Sequence, residues 1–355
     1  MKITNLGVKA TLAAALLSVL FRAAGAQPIL VTSNTAVFLR EGTFEPLKSV
    51  DLRMALKDVP ITDSEQPPWQ ELGRTFAPYH CTQDLGHTKV FCLLGNSSGR
   101  QFGTAVFRRK DFTLVKWLPK VGVEEEAVVI LDNRIYLSQG PYMESHGSPA
   151  IFDATTFKRL MDRIPPFHLG QSCWLPKSKA IYSAFAGTFE LKSYQFNPKT
   201  KFPDGYLHCE NGRLLVQKPK DGRMELAVVD VESSEVLAEV AAPEISHGAS
   251  PMQTLLSPDG KHVVLFTMKD NAGLPASLNG LIIFNTKNGK RLEVALPEVQ
   301  HTEEIPGSWR FDQFVQGGST IALAYDRDSS VRLFVDLSNG KVQNVKLPAS
   351  GRLVW

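Results

Sequence analysis

The chain has 355 residues, 43% hydrophobic and 21% charged, a composition that supplies a core and excludes disorder as the main state. Lys and Arg number 39 against 36 Asp and Glu, but Lys2, Lys9 and Arg22 all fall in the first 26 positions, and the remainder balances at 36 against 36. That balance removes the simplest argument for a nucleic-acid or anionic-membrane partner.

Residues 1–26 carry the three parts of a secretory signal: Lys2 and Lys9 in front, an apolar stretch from Ala10 to Phe21, and small residues Ala24, Gly25 and Ala26 ahead of Gln27. The apolar stretch is shorter than the ~20 residues a membrane-spanning helix needs, and Arg22 follows it at once. Cleavage is expected after Ala26, releasing a single domain of residues 27–355 into a periplasm or the extracellular space, without a membrane span. Four cysteines, at 81, 92, 173 and 209, enter that oxidising compartment, and no CxxC pair or zinc-like Cys/His spacing is present.

Beyond the signal, helical 3.6-residue periodicity is almost absent. Apolar residues come in short strand-like runs separated by Gly, Pro, Asn and Asp clusters, which predicts an all-β chain. One pattern recurs: an apolar run ending near Asp or Asn, a polar turn, and a second strand that often closes on Pro. It reads TAVFLREGTFEPLKSVDL from residue 35, TAVFRRKDFTLVKWLP from 104, PAIFDATTFKRLMDRIPP from 149 and SYQFNPKTKFP from 193. It returns as ELAVVDVESSEVLAEVAAP from 225, LIIFNTKNGKRLEVALP from 281 and RLFVDLSNGKVQNVKLP from 332. Aligning the first-strand ends at Leu39, Arg108, Asp153, Asn197, Asp230, Asn285 and Asp336 gives seven units spaced 69, 45, 44, 33, 55 and 51 residues apart. The spacing is near the ~40–50 residues of a four-stranded propeller blade. Inner hairpins precede most of the units, clearest in MQTLLSPDGKHVVLFTM from 252.

The SPDGKHVVLF segment resembles the YVTN/TolB-type branch of seven-bladed β-propellers, a WD40-like superfamily, and the repeat extends that resemblance over residues 27–355. It implies a ring of seven four-stranded blades. The recurring Gly-His and Trp-Asp dipeptides of the WD-type repeat are missing, so the hydrogen-bond network of that repeat is not expected. The first outer pair has only Ile29 to Thr32 ahead of it, one strand short of a blade, whereas Gly351 to Trp355 follow the last pair. The C-terminal strand is therefore expected to complete the first blade. The long first gap places a surface-loop insertion at about residues 55–75, around Pro67 and Pro68.

Hairpin counting addresses the cysteines. A two-residue turn at Gly86 and His87, with Gly86 at positive φ, pairs 85 with 88 and finally Cys81 with Cys92, as a hydrogen-bonded pair with Cα atoms ~5.5 Å apart. Cys173 and Cys209 begin neighbouring inner hairpins, so the second disulfide would staple two blades. Free thiols are the alternative.

Catalytic signatures are sparse. Gly95 to Gly99 matches the GxSxG nucleophile elbow in form, but that elbow needs a helix leaving it, and a strand is expected here. Asn96-Ser97-Ser98 is a glycosylation sequon. Carboxylates cluster at Glu124 to Glu126 and at Glu303 and Glu304, a pattern that solvated loops also produce. No HExxH, Walker, GxGxxG or EF-hand motif occurs, and no cofactor or metal is predicted. Histidines are more suggestive. His80, His168, His208, His247 and His301 are expected in or beside blade-to-blade connections, and His146 in a second-to-third-strand loop, all on one face. His87 and His262 fall at the opposite turns. With Trp69, Trp174, Trp309 and Arg310 nearby and Glu124 near the channel, this outlines a ligand mouth, although those loops also hold much of the polar sequence.

The expected function is a monomeric, exported propeller that binds a protein partner or small molecule through the face bearing His80, Glu124, His168, His208, His247, His301 and Arg310. The alternative that the resemblance implies is a propeller enzyme, either a lactonase-type hydrolase or the large subunit of a quinone-dependent periplasmic dehydrogenase.

Overall fold

The computed structural model describes residues 27–59, 76–84, 86–96, 101–119, 127–138, 150–161, 172–183, 187–197, 205–220, 223–241, 254–271, 274–297 and 308–355. The signal segment and residues 60–75 of the expected insertion lie outside them.

The described strands form seven four-stranded antiparallel sheets. Blade 1 contains β1 (Ile29–Val31), β2 (Thr35–Leu39) and β3 (Pro46–Asp51), followed by a short helix, α1 (Leu52–Leu56). Blade 2 is β4 (Phe76–Gln83), β5 (Lys89–Asn96), β6 (Gln101–Arg108) and β7 (Leu114–Pro119). Blade 3 is β8 (Ala127–Leu131), β9 (Arg134–Ser138), β10 (Ala150–Asp153) and β11 (Arg159–Met161). Blade 4 is β12 (Ser172–Leu175), β13 (Ala180–Ser183), β14 (Gly187–Glu190) and β15 (Phe196–Asn197). Blade 5 is β16 (Tyr206–Glu210), β17 (Arg213–Lys220), β18 (Arg223–Asp230) and β19 (Val236–Ala241). Blade 6 is β20 (Thr254–Leu256), β21 (His262–Asn271), β22 (Leu274–Asn285) and β23 (Arg291–Ala295). Blade 7 is β24 (Trp309–Val315), β25 (Thr320–Tyr325), β26 (Val331–Asp336) and β27 (Val342–Lys346). The last strand, β28 (Arg352–Val354), returns to blade 1 and pairs with β1 as its innermost strand, with Leu30 opposite Leu353.

The buried apolar residues divide into seven clusters, one for each seam between neighbouring blades. A blade is sandwiched on both faces, so its middle strands bury alternate residues into opposite seams. In β5, Val90, Cys92 and Leu94 enter the seam with blade 1, while Phe91 enters the seam with blade 3. This is why the sequence shows continuous apolar runs instead of clean alternation. Near the rim, α1 buries Leu52 and Leu56 in the seam between blades 1 and 2.

The turns from third to fourth strand share one backbone device. An amide four residues on bonds back to the strand-end carbonyl, as in Phe112 N to Arg108 O at 2.8 Å and Gly340 N to Asp336 O at 2.8 Å. The bonding residue has positive φ in six blades, Phe44, Phe112 and Phe157 at 57–59°, Ser234 at 60°, Gly289 at 66° and Gly340 at 73°, and Tyr194 at the equivalent position of blade 4 is at 55°. Glycine adopts this conformation freely, whereas an aromatic residue there must recover the steric cost elsewhere. Phe112 does so by complete burial, stacked on Phe107 at 4.7 Å and edge-on to Phe38 at 6.2 Å.

Four details of the sequence reading change. In blade 4 the third strand ends at Glu190, and Asn197 belongs to the fourth strand; in blade 1 the turn begins at Arg40 and not Leu39. The shared turn geometry therefore gives spacings of 68, 45, 37, 40, 55 and 51 residues between Arg40, Arg108, Asp153, Glu190, Asp230, Asn285 and Asp336. The turn between β4 and β5 places His87, not Gly86, at positive φ (51°), and the Asp84 carboxylate accepts from Thr88 N and Lys89 N at 2.7 and 2.9 Å. Cys81 still pairs with Cys92, but their Cα atoms are 4.2 Å apart. That is the close spacing of a non-hydrogen-bonded pair. Both disulfides, Cys81–Cys92 and Cys173–Cys209, are formed.

Candidate functional site

Loops that join second to third strands, and one blade to the next, emerge on the same face of the ring. Their described parts include Thr32 to Asn34, Asp326 to Ser330 and the 347–351 link; Glu124, His146, His168, His247, His301 and Trp69 lie outside the described residues. Where these described parts meet the inner strands of blades 7, 1 and 2, they enclose a pocket of about 480 Å³. Its lining includes Ser33, Pro78, Arg310, Phe311, Asp312, Arg332, Ser350 and Arg352.

Arg332 builds the walls. It is 2% exposed and donates from Nε to Asp312 at 3.2 Å, from Nη2 to Gly351 O at 3.2 Å, and from Nη1 to Ser329 O and to Val331 O. Burial pushes its guanidinium pKa down, and the Asp312 charge opposes that shift. Two segments of the face, the loop of blade 7 and the link into β28, are thus fixed by one side chain. The blade 7 loop is further braced by Asp328, which accepts from Ser330 N and Oγ and from Lys346 Nζ. Those bonds, led by the Ser330 hydroxyl, hold its carboxyl at about 2. Gly351 is needed where it stands, because a Cβ there would lie 2.5 Å from the Val31 carbonyl oxygen.

Arg310 is at this mouth, exposed at the start of β24, with one long bond to Asp326 O at 3.4 Å. His80 and His208 are corrected: both lie within inner strands, at bulges in β4 and β16, and not in the blade connections. The His208 ring is committed to packing, its Nδ1 accepting from Leu256 N of blade 6 at 3.2 Å, and burial lowers its pKa to about 4. Burial also lowers the pKa of His80, aided by the Arg352 charge, and its Nδ1 has no hydrogen-bond partner. Trp309 is core, 4% exposed, with Nε1 donating to Pro297 O at 3.1 Å, and Trp174 packs in the seam between blades 3 and 4. Asn96 ends β5 and Gln101 begins β6, so a strand does leave the GxSxG-like segment.

Sequence reasoning missed Arg332, Arg352 and the serines of the pocket. A usable signal was present for Arg332, a charge inside the apolar run Val331 to Val335. A second cavity, about 630 Å³, lies near the rim between α1 and β7, lined by Met54, Val59, Phe112 and Trp117 with Asp51, Asp58 and Asp111. Among the described residues no group of three His, Cys, Asp or Glu side chains is placed to hold a metal, and no helix is long and apolar enough to cross a membrane.

Seven four-stranded blades closed by a terminal strand define a seven-bladed β-propeller, the architecture that the TolB-type resemblance implied. No family model matches the sequence, and no curated protein matches it. Among solved structures the chain is similar to Kuenenia stuttgartiensis hydrazine synthase, at 14% identity over 74% of this chain and 77% of that one, TM-score 0.49. It is similar to TolB from Acinetobacter baumannii at 11% identity over 97% and 71%, TM-score 0.44. It is also similar to BamB from Moraxella catarrhalis at 11% identity over 90% and 84%, TM-score 0.41.

Proposed function

We propose that this chain is an exported β-propeller that acts as a binding module through its loop-bearing face, with the signal cleaved after Ala26. The observation that carries the reading is the pocket where blades 7, 1 and 2 meet, because its walls are braced by a buried arginine while Arg310 and Arg352 stay exposed. Glu124, His168, His247 and His301 are proposed to contribute to recognition from the blade-to-blade segments, and His80 from its inner strand beside Arg352. His208 is left out, since its acceptor nitrogen is used between blades 5 and 6. The two disulfides fit an oxidising compartment.

The test is hydrogen–deuterium exchange on the mature chain, alone and with fractionated small molecules and peptides from its own extracellular medium. Protection is expected at residues 308–312, 326–332 and 350–352, and weaker protection after His168→Ala with His247→Ala at unchanged melting temperature. Protection confined to outer strands would sink the face assignment. N-terminal sequencing of secreted protein should begin at Gln27.

A further inference from the structure

The charges around the pocket do not balance. Its lining carries Arg310, Arg332 and Arg352 against one acid, Asp312. Arg332 and Asp312 are spent on each other, and the other Arg332 donors go to backbone carbonyls. Arg310 offers only its long bond to Asp326 O, and Arg352 makes no hydrogen bond or ion pair with another described residue. Among the described lining residues, two exposed guanidinium groups thus share one concave site in which the single acid, Asp312, is paired with Arg332. Each presents the planar fork that matches a carboxylate or phosphate. The hydroxyls of Ser33 and Ser350 line the same space.

The pocket also has an apolar wall. Phe311 is 41% exposed, its ring braced from behind by Phe314 at 5.4 Å and Phe266 at 6.3 Å. A bare inorganic anion would leave that ring facing water, whereas an organic anion would cover it. A volume of about 480 Å³ suits a small molecule. We propose that the junction of blades 7, 1 and 2 binds a small organic anion, its carboxylate or phosphate held by Arg310 and Arg352 and its apolar body against Phe311. This rests on the loop face being the binding surface.

Calorimetric titration of the mature protein with benzoate, phenyl phosphate, inorganic phosphate and neutral benzamide tests it. Benzoate or phenyl phosphate should bind about tenfold or more tightly than inorganic phosphate and benzamide, and the better of the two identifies the acidic group. Arg310→Ala with Arg352→Ala should weaken that binding about tenfold or more at unchanged melting temperature, and Arg310→Lys with Arg352→Lys should fall between. Benzamide binding as well as benzoate, full affinity in the alanine variant, or no binding of either organic anion at millimolar concentration would overturn the anion assignment. Exchange protection separates the two levels of inference. If a neutral probe protects 308–312 and 350–352, the anion assignment fails and the face stands; if every bound probe protects other regions, both fail.

Discussion

Blades 4 and 5 are joined at their innermost strands by a disulfide between residues 36 apart, whereas the ring closes through β28 on β1 without a covalent bond. The covalent seam acts largely on the unfolded chain, by shortening the loop it must close. The closure seam acts on the folded state alone. The channel edge of β28 exposes alternate carbonyls, and neighbouring blades supply a donor to each. Arg332 serves Gly351 O, Gln313 serves Leu353 O at 2.8 Å, and Gln83 of blade 2 serves Trp355 O. Arg109, 8% exposed, bonds the Gln27 carbonyl at 2.5 Å and Gln83 Oε1 at 3.0 Å, tying in the start of the described chain. The Trp355 ring packs on Phe44 at 5.5 Å and Phe334 at 6.0 Å. An unpaired inner edge is thus satisfied by side chains, and His208 serves Leu256 N of blade 6 in the same way.

The comparison breaks most directly by deleting residues 351–355. Loss of β28 should cost a large share of a stability that is ~5–15 kcal/mol for ordinary domains, leaving no cooperative melting transition. A truncated protein melting with the full chain would show that closure matters little. Next in size, Arg332→Met should cost ~3–5 kcal/mol in urea unfolding, because the partly buried Asp312 loses its partner and the carbonyls of Gly351 and Ser329 lose their charged donor. Adding Asp312→Leu should recover the ion-pair share but not the share that caps Gly351 and Ser329, which separates the two roles.

Replacing Cys173 and Cys209 by Ala should cost ~4 kcal/mol, against ~3 kcal/mol for the Cys81 and Cys92 pair with its smaller loop. Equal losses would point to folded-state packing and not chain entropy. The smallest effects concern pH. Burial lowers the His208 pKa from the ordinary 6.5 to about 4, so the unfolded chain takes up the proton first and stability falls as pH drops from 6.5 toward 4. His208→Gln keeps an acceptor for Leu256 N and should flatten that slope. Glu210 is shifted the other way: burial raises its pKa from 4.5 to about 7, so it costs stability as pH rises through that range. Glu210→Gln should therefore be more stable than the parent at pH 8 and equal to it below pH 4.5 in melts across pH.

Much of this architecture was legible because it repeats. Period, turn residues and the missing strand of the first blade are local properties that recur, and the Cys81–Cys92 pairing follows from counting along one hairpin. Blade 4 was misread because its third strand ends on Glu190, without the Asp or Asn that marks most of the other turns, while Asn197 in the next strand carries that mark. The aromatic in the left-handed position of its turn, Tyr194, packs, partly buried, against Phe189 at the neighbouring seam, which is a tertiary fact. His208 reads as a free loop histidine until blade 6 supplies the amide it accepts from. The arginine-lined pocket was illegible for the same reason. Arg310, Arg332 and Arg352 belong to three strands of two blades, and Ser33 lies about 300 positions from them. Sequence by itself determined what depends on neighbours along the chain: strand period, blade number, ring closure and the register of one disulfide. Only the folded ring decided which carbonyls needed a donor and which arginines came to share one pocket, because both depend on residues that closure brings together from opposite ends of the chain.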